Sequence, residues 1–306
     1  MFDVIVIGSG PAGVTAGIYA KRASLSVCVI EKDYMGSGQI AQSGRVDNYP
    51  GMAGISGFDM GSKFLEDAGK LGVEIMEGTV KGIKKENDLF TVTLENGEQK
   101  VSKTVIYCAG ASHRHLGLPE EEGYVGCGVS YCATCDGAFF KNRNVAVVGG
   151  GNTALDDALY LSGLCSKVYL IHRRDEFRGA KETLEQLEEK ENVEFITPAQ
   201  VTAIKGSGMV ESVELNNGRT LEVAGLFVAV GMKPETGMLA EYVKMDDAGY
   251  VIAGEDCITA TSGLYVAGDL RSKRLRQVVT ATADGANAAY SAIEYLNHKK
   301  EGNCAK

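Results

Sequence analysis

A strand, a glycine turn and a helix occur in the same order twice in this chain, and this repeat constrains the fold more than any other feature. In the first copy, the apolar residues 3–7 lead into the turn Gly-Ser-Gly-Pro-Ala-Gly at residues 8–13, and a helical pattern continues to about Arg22. A second apolar run, residues 25–30, ends on Glu31. This is the complete dinucleotide-binding fingerprint, in which glycine lets the backbone approach a pyrophosphate at a helix N-terminus. Glu31 is suited to accept hydrogen bonds from a ribose with a free 2′-hydroxyl.

The second copy differs from the first at the position that would contact the ribose. Residues 144–148 form the strand and residues 149–154 form the turn Gly-Gly-Gly-Asn-Thr-Ala. A further strand ends before His172, which stands where the first copy has Glu31. Three arginines follow, Arg173, Arg174 and Arg178. Guanidinium groups bind a 2′-phosphate that a carboxylate would repel. The simpler alternative is that these arginines form a solvated surface.

Two dinucleotide sites in one chain suggest a flavin in one and a nicotinamide in the other. FAD has a free 2′-hydroxyl on its adenosine ribose, so the turn that leads to Glu31 is predicted to bind FAD. NADPH carries the 2′-phosphate, so the turn that leads to the arginines is predicted to bind NADPH.

Short runs of alternating residues follow each copy. Residues 79–105 contain three such runs, and residues 199–223 repeat the pattern; each set has an Asn-Gly turn before its last run. The chain is therefore predicted to be α/β, with two Rossmann-like three-layer nucleotide-binding domains, each with an inserted β-meander, joined by a two-strand linker.

The C-terminal part of the chain fits the first domain better than the second, which is already complete at Gly231. Residues 263–269 form another strand, which ends in Gly268-Asp269, and Arg276-Gln277 open a long helix. Its N-terminus could face the polar edge of a flavin. The domains predicted from this are a discontinuous FAD-binding domain of residues 1–114 and 246–306 and an NADPH-binding domain of residues 115–245, with crossings near 112–119 and 241–248.

One cysteine pair has the spacing of a redox-active disulfide. Cys132 and Cys135 lie two residues apart, and Asp136 follows directly. Such a pair closes an easily reduced disulfide and lowers a thiol pKa, and Asp136 could give or take a proton when one sulfur leaves. Half of a zinc site is the alternative. The other six cysteines form no second C-x-x-C and no His lies within ten residues, so no metal is predicted.

Composition argues against several other classes of protein. The formal net charge of −9 makes general nucleic-acid binding unexpected. The N-terminal residues lack the basic region of a signal peptide, and no apolar run reaches the roughly 18 residues that a membrane span needs. Eight cysteines without a secretion signal indicate a reducing cytoplasm.

Taken together, these motifs resemble the low-molecular-weight bacterial thioredoxin reductases over essentially the whole chain. The most specific element is Cys-Ala-Thr-Cys-Asp-Gly at residues 132–137. The remaining shared elements are both glycine turns, Gly38-Gln39, Asn48-Tyr49-Pro50-Gly51, His172-Arg173-Arg174 with Arg178, Gly268-Asp269 and Arg276-Gln277.

The resemblance implies a homodimeric FAD enzyme that passes electrons from NADPH through Cys132 and Cys135 to thioredoxin, with one domain rotating against the other during turnover. Asp136 would be the acid that protonates the leaving thiolate or the flavin. The residues implied to hold FAD are Gly8, Gly10, Pro11, Ala12, Gly13, Glu31, Gly38, Gln39, Asn48, Gly268, Asp269, Arg276 and Gln277. Those implied to hold NADPH are Gly149, Gly151, Asn152, Thr153, His172, Arg173, Arg174 and Arg178.

One position departs from the family pattern. Cys127 stands where relatives often carry a basic residue that is thought to help thioredoxin dock, while Phe139 and Phe140 offer either an apolar docking surface or core packing. Two other functions stay open. The electron donor could be ferredoxin, although such relatives lack the nucleotide motifs, or the chain could be a non-catalytic nucleotide or redox sensor.

Overall fold

A computed structural model describes residues 1–32, 37–43 and 45–304, and the chain divides into two compact units. The first unit contains the described residues of 1–42, 49–112 and 233–306. The second unit contains the described residues of 43–48 and 113–232.

Both units combine strands with helices. The strands are β1 (Phe2–Ile7), β2 (Val27–Glu31), β3 (Glu74–Glu77), β4 (Val80–Glu86), β5 (Leu89–Leu94), β6 (Gln99–Tyr107), β7 (Ala111–His113), β8 (Val129–Ser130), β9 (Asn144–Val148), β10 (Lys167–Ile171), β11 (Val193–Ile196), β12 (Val201–Lys205), β13 (Ser212–Leu215), β14 (Thr220–Glu222), β15 (Gly225–Val228), β16 (Met232–Pro234) and β17 (Leu264–Val266). The α-helices are α1 (Pro11–Arg22), α2 (Gly57–Lys70), α3 (Ala133–Asp136), α4 (Asn152–Ser162), α5 (Lys181–Glu188) and α6 (Val278–Cys304). Short 3-10 helices span Gly38–Gln42, Glu122–Tyr124, Gly137–Phe140 and Gly237–Leu239.

The first unit is built on a sheet in which β6 has two kinds of partner. The strand order is β3-β2-β1-β6-β5-β4, and β17 also pairs with β6. The first residues of β6 pair antiparallel with β5, and its last residues pair in parallel with β1 and β17. The last of the three runs predicted within residues 79–105 continues to Tyr107 in the structure, because no turn residue separates the half-exposed start of β6 from its buried end.

Both faces of the first unit's parallel sheet are covered. Val4 and Val6 of β1 pack in a cluster with α1 and α6, whereas Ile5 and Ile7 face a second cluster that includes Phe90 of the meander. All four β1 side chains are at most 5% exposed. This burial on both faces explains why β1 is a continuous apolar run rather than an alternating one.

α6 approaches the start of α1 closely at Gly285. A Cβ on Gly285 would overlap the carbonyl oxygen of Ala12, so only glycine allows this approach. α6 is thereby held over the helix that follows the first glycine turn.

Among the described residues, no helix combines the length and apolar character that crossing a membrane requires.

The second unit has a parallel five-stranded sheet of order β11-β10-β9-β15-β8 and an antiparallel three-stranded sheet, β12-β13-β14. The strands β9 and β15 are buried along their length, apart from the half-buried Asn144. The predicted α/β class, with two Rossmann-like units that each carry a β-meander, is confirmed.

The strands β7 and β16 pair with each other where the chain passes between the two units. Residues 233–245, which the sequence analysis placed in the NADPH-binding domain, lie in the first unit. The physical reason is packing, since Leu239 is fully buried in the same cluster as Ile5 and Phe90. A short apolar segment of this kind carries no sequence signal for the core it joins.

Gly285→Ala should destabilise the protein by about 1–3 kcal/mol, because the added Cβ meets helix backbone that cannot move aside. Gly69→Ala in α2 is the matched control, since its Cβ would meet no atom within 4 Å. In that control, the free energy of unfolding should rise by about 0.4–1 kcal/mol, because alanine reduces the conformational freedom of the unfolded chain. Thermal or denaturant unfolding measures both. An unchanged stability of Gly285→Ala would contradict the close contact between α6 and α1.

Candidate active site and nucleotide-binding turns

The cysteine pair closes a disulfide across one short turn of helix. Cys132 directly precedes α3, Cys135 lies within it, and the two sulfur atoms are bonded. The backbone N–H groups of Cys135 and Asp136 donate to the Cys132 carbonyl at 3.2 and 3.1 Å, and this turn brings the sulfurs together. Among the described residues, no group of three or more His, Cys, Asp and Glu could hold a metal ion. The bond between the two sulfur atoms agrees with the prediction that this pair is a redox-active disulfide.

Ser130, at the end of β8, connects this turn to Asp136. Its hydroxyl donates to Oδ2 of Asp136 at 2.6 Å and accepts from the backbone N–H of Cys132 at 3.1 Å. Burial raises the pKa of Asp136, and the hydrogen bond from Ser130 opposes that rise. The sequence analysis identified Asp136 but missed Ser130, because a single serine before a C-x-x-C shows no partner until the strand end is placed.

A second polar cluster surrounds Tyr131, the residue before the disulfide. Its hydroxyl lies 2.8 Å from both Oε1 of the buried Glu121 and Nδ1 of His115. The ring of His113 stacks on the tyrosine ring at 4.9 Å. Burial and the Glu121 carboxylate raise the pKa of Tyr131, so the phenol stays protonated. This cluster fixes the chain on the N-terminal side of Cys132.

Of the two phenylalanines after the disulfide, one packs in the core and the other is exposed, so each fits one of the two predicted roles. Phe140 is 8% exposed and packs edge-on against Phe227 in the core, whereas Phe139 is 54% exposed. Cys127, the departure from the family pattern, is an exposed free thiol. Phe139 is therefore the apolar side chain next to the disulfide that a partner could contact.

The first glycine turn depends on contacts that exclude side chains. A Cβ on Gly8 would clash with the carbonyl of Cys108, and one on Gly13 would overlap the carbonyl oxygen of Gly8. Gly8 also has a φ of +99°, which favours glycine. Ser9 donates to Oε2 of Glu31 through its backbone N–H at 2.7 Å and its hydroxyl at 2.8 Å. The turn and the carboxylate at the end of β2 are thus held together.

Two other glycines lie against this turn. Gly38, with a φ of +72°, lies against Gly10, since a Cβ on Gly38 would be 3.2 Å from the Gly10 Cα. A Cβ on Gly268, with a φ of +88°, would be 3.1 Å from the Cβ of Ala12. The structure therefore brings together segments that lie far apart in the sequence.

Asp269, next to Gly268, has a buried oxygen that lacks a hydrogen bond. No other described residue donates to its Oδ1, and the nearest cation, Nζ of Lys273, is 3.6 Å away. Burial raises the pKa of Asp269, and Lys273 and Arg276 oppose that rise. A buried acceptor of this kind calls for a donor from a bound molecule.

Asp284 of α6 organises the Gly268-Asp269 turn, and the sequence analysis missed it. Its Oδ2 accepts from the backbone N–H of Gly268 at 3.0 Å, Nε of Arg271 at 3.2 Å and Nζ of Lys273 at 3.0 Å. Its Oδ1 accepts from Nη2 of Arg271 at 2.7 Å. The three ionic side chains are at most 11% exposed. An Asp within the run of Ala, Gly, Thr and Asn at residues 280–289 was the available signal.

The remaining residues predicted for the first turn take different positions. Pro11 and Ala12 begin α1, and Gln39 lies in the Gly38–Gln42 helix. Arg276 stacks over Tyr250 at 3.9 Å and donates to the carbonyl of Asp269, so it braces the turn. Gln277 immediately precedes α6, and Asn48 belongs to the 43–48 segment of the second unit.

The second glycine turn repeats the geometry of the first. A Cβ on Gly149 would overlap the carbonyl oxygen of Ala229, the counterpart of the contact between Gly8 and Cys108. Gly151 precedes α4, and a Cβ there would meet no atom within 4 Å. The start of α4, with Asn152 and Thr153, is exposed. Its unpaired N–H groups can therefore receive a phosphate.

The loop that carries the arginines is held against this turn by two hydrogen bonds. The backbone N–H of Arg178 donates to the Gly150 carbonyl, and that of Ala180 donates to Oδ1 of Asn152, both at 2.7 Å. Arg173, Arg174 and Arg178 are all exposed. Within the described part of the chain, none of their guanidinium groups makes a hydrogen bond or salt bridge. Three cations without an ion-pair partner among the described residues thus lie beside the second glycine turn.

His172 is placed differently from the arginines. Its side chain is buried beneath the turn, in space that the missing Cβ of Gly150 leaves, and it stacks on Phe177 at 5.2 Å. Burial and the nearby Arg178 lower the pKa of His172, and Nε2 has no hydrogen-bond partner among the described residues. His172 therefore supports the turn as a neutral ring.

Comparisons with known proteins agree with this geometry. A model of the family described as pyridine nucleotide-disulphide oxidoreductase matches residues 2–285. The thioredoxin reductase of Helicobacter pylori is 40% identical over 310 residues, which cover 97% of this chain and 100% of that protein. The enzyme of the same name from Listeria monocytogenes is also 40% identical and covers 98% and 96% of the two chains. The crystal structure of thioredoxin reductase from Streptococcus pyogenes gives a TM-score of 0.90 at 39% identity and covers 97% of this chain and 99% of that one. The chain therefore belongs to the pyridine nucleotide-disulphide oxidoreductase family and, within it, to the thioredoxin reductases.

Proposed function

We propose that this protein reduces the disulfide of thioredoxin with electrons from NADPH, carried by FAD and by the Cys132–Cys135 pair. The observation that carries the proposal is the disulfide turn with the half-buried Asp136 beside it, in the same compact unit as a glycine turn flanked by arginines. The relatives' names supply thioredoxin as the substrate.

FAD fits the residues of the first unit. The glycine turn at residues 8–13 leads into the N-terminus of α1, which would receive a pyrophosphate, Glu31 lies beside the turn for a ribose hydroxyl, and Oδ1 of Asp269 needs a buried donor. The other residues of this unit proposed to hold it are Pro11, Ala12, Gly13, Gly38, Gln39, Gly268, Arg276 and Gln277. Asn48, which is proposed from the family resemblance, belongs to the second unit. The chemistry that such a group supplies when bound is two-electron transfer between a pyridine nucleotide and a disulfide.

The choice of NADPH over NADH is proposed from charge. The exposed guanidinium groups of Arg173, Arg174 and Arg178 have no carboxylate partner among the described residues, so they can pair with a 2′-phosphate. Gly149, Gly151, Asn152 and Thr153 would position the pyrophosphate, with His172 beneath them.

Asp136 is proposed to move the proton of the dithiol step. When two electrons cleave the S–S bond between Cys132 and Cys135, one sulfur becomes a thiolate and the other takes the proton of the Asp136 carboxyl. In the exchange step, the thiolate attacks the thioredoxin disulfide and releases one thioredoxin thiolate. The remaining thiol returns its proton to Asp136 and displaces the second thioredoxin thiolate, so the carboxyl is restored.

The proposal extends to partners and location. Phe139, exposed beside the disulfide, is proposed to contact thioredoxin. A homodimer and a cytoplasmic location are proposed from the family resemblance. Ferredoxin as electron donor is not favoured, because the second glycine turn and the three arginines are all present. A sensor would bind both nucleotides without catalysing disulfide reduction. The deciding experiment is a disulfide-reduction assay with thioredoxin that compares NADPH, NADH and reduced ferredoxin.

Cys132→Ser should leave reduction of the bound flavin by NADPH intact and abolish thioredoxin reduction, because the hydride step does not need the disulfide. Stopped-flow absorbance at the flavin band and a coupled thioredoxin assay measure the two steps on the same sample. The first reading serves as an internal control for folding and cofactor loading. Thioredoxin turnover by this variant would refute the assigned electron path.

Arg173→Ala combined with Arg174→Ala should weaken NADPH binding at least about tenfold and leave NADH binding nearly unchanged, since hydrogen bonds to charged groups contribute roughly 1.5–3 kcal/mol each. Arg219→Ala is the matched control, because this arginine of the same unit pairs with Glu194. Titration of both nucleotides against the three proteins gives the preference. An unchanged ratio of the NADPH and NADH dissociation constants in the double variant would contradict the assignment of these residues to the site.

Asp284→Asn should weaken FAD binding at least about tenfold, because Arg271 and Lys273 lose the counter-charge that holds the Gly268-Asp269 turn. Asp67→Asn is the control, since its carboxylate forms an exposed pair with Lys70. The dissociation constant of FAD is measured for both variants and the parent protein by the fluorescence of released flavin. Equal constants for Asp284→Asn and the parent protein would show that the network does not support the cofactor site.

A further inference from the structure

We propose that Ser130 is the positioning residue of the proton carrier: it holds one oxygen of Asp136 and leaves the other, Oδ1, as the atom that carries the transferable proton. The inference deepens the proposed function, since the step that it serves is the reduction and re-oxidation of the Cys132–Cys135 pair. Its structural basis is the contact of Ser130 with both the disulfide turn and the carboxyl group.

The direction of the Ser130 hydrogen bond follows from counting protons. A hydroxyl has one hydrogen to donate and can accept two. The Cys132 N–H already points at the Ser130 oxygen at 3.1 Å, so the hydroxyl hydrogen must go elsewhere. Of its two acceptors, Oδ2 of Asp136 at 2.6 Å is far closer than the Cys132 carbonyl at 3.4 Å. The hydrogen therefore points to Asp136.

This direction decides where Asp136 carries its own proton. An oxygen that receives a short hydrogen bond is the poorer place for a proton, so the acid form is protonated at Oδ1. No other described residue makes a hydrogen bond to Oδ1, so no protein donor competes for this oxygen. When two electrons cleave the disulfide, the O–H bond at Oδ1 breaks and an S–H bond forms. The products are one thiol, one thiolate and the Asp136 carboxylate.

Once Asp136 is ionised, the same hydroxyl stabilises the carboxylate through a charge-assisted bond. Burial acts in the opposite direction and favours the neutral acid. Ser130 thus keeps the two protonation states close enough in free energy for Asp136 to give and recover a proton in each cycle.

Few charged groups compete with Ser130 for control of Asp136. The helix α4, which packs against α3, carries Asp156 and Asp157, and burial raises the pKa of Asp157 to about 7. Lys141 and Arg143 follow the Gly137–Phe140 helix. None of these charges shifts the pKa of Asp136, which responds to burial and to the Ser130 hydroxyl.

The first experiment measures Asp136 directly in the FAD-loaded, oxidised protein. Carboxyl carbons of aspartate are labelled with ¹³C, and the Asp136 resonance is the one that Asp136→Asn removes. Ser130→Ala should raise its titration midpoint by roughly one pH unit, because the carboxylate loses its donor while burial stays. Ser130→Thr keeps the hydroxyl and should restore the midpoint. Ser162→Ala, whose hydroxyl bonds to the Leu159 carbonyl, should leave it unchanged.

The second experiment follows the pH dependence of disulfide reduction by NADPH. Because this step needs the acid form, its rate falls as pH rises through the pKa of Asp136. The fall should move to higher pH in Ser130→Ala by the same amount as the titration midpoint. If Ser130→Ala does not fold, Ser130→Gly removes the same hydroxyl and is measured in its place.

The outcomes separate this inference from the proposed function. A midpoint that is the same in Ser130→Ala and the parent protein overturns the positioning role, whatever the substrate. A shifted midpoint with an unshifted rate profile also overturns it, because Asp136 would then not carry the proton. A parent protein that cannot reduce thioredoxin with NADPH refutes the proposed function, and the titration still decides what Ser130 does.

Discussion

Direct contact between backbone atoms at the two glycine turns is the constraint on which the rest of the structure depends. Gly13 places the first turn of α1 against the carbonyl of Gly8, and Gly285 places α6 against the carbonyl of Ala12. A single methyl group at either position would separate these elements. The start of α1 is therefore held between the backbone of Gly8 and that of α6, which fixes the helix N-terminus where the proposed pyrophosphate would bind.

The same scaffold gives two different sites because the residues after the second strand differ. In the first unit, Glu31 is drawn into the turn by two hydrogen bonds from Ser9. In the second unit, the equivalent residue is the buried His172, and the charge moves outward to Arg173 and Arg174. A carboxylate held inside the turn suits a neutral hydroxyl, whereas exposed guanidinium groups suit a phosphate. The close backbone contacts can thus stay fixed while the ligand changes.

Features set by local pattern could be predicted from the sequence. The glycine turns, the β9 strand and the C-x-x-C pair each depend on residues that lie within one short segment. The features that were missed depend on contacts between segments. Asp284 matters because α6 brings it to Gly268, and residues 233–245 join the first unit because Leu239 fills its core. Neither contact leaves a periodicity or a motif, so one sequence alone does not show it.

The second unit uses electrostatics in two distinct ways. Arg173 and Arg174 are exposed, so the attraction for a phosphate that is proposed for them would be long in range and weakened by salt. Asp136 is half-buried, and its pKa responds to that burial and to one hydroxyl at 2.6 Å. Nucleotide binding must be reversible and does not depend on one fixed distance, so exposed charges are suited to it. The proton transfer proposed for Asp136 needs a fixed distance, which the directed hydrogen bond from Ser130 supplies.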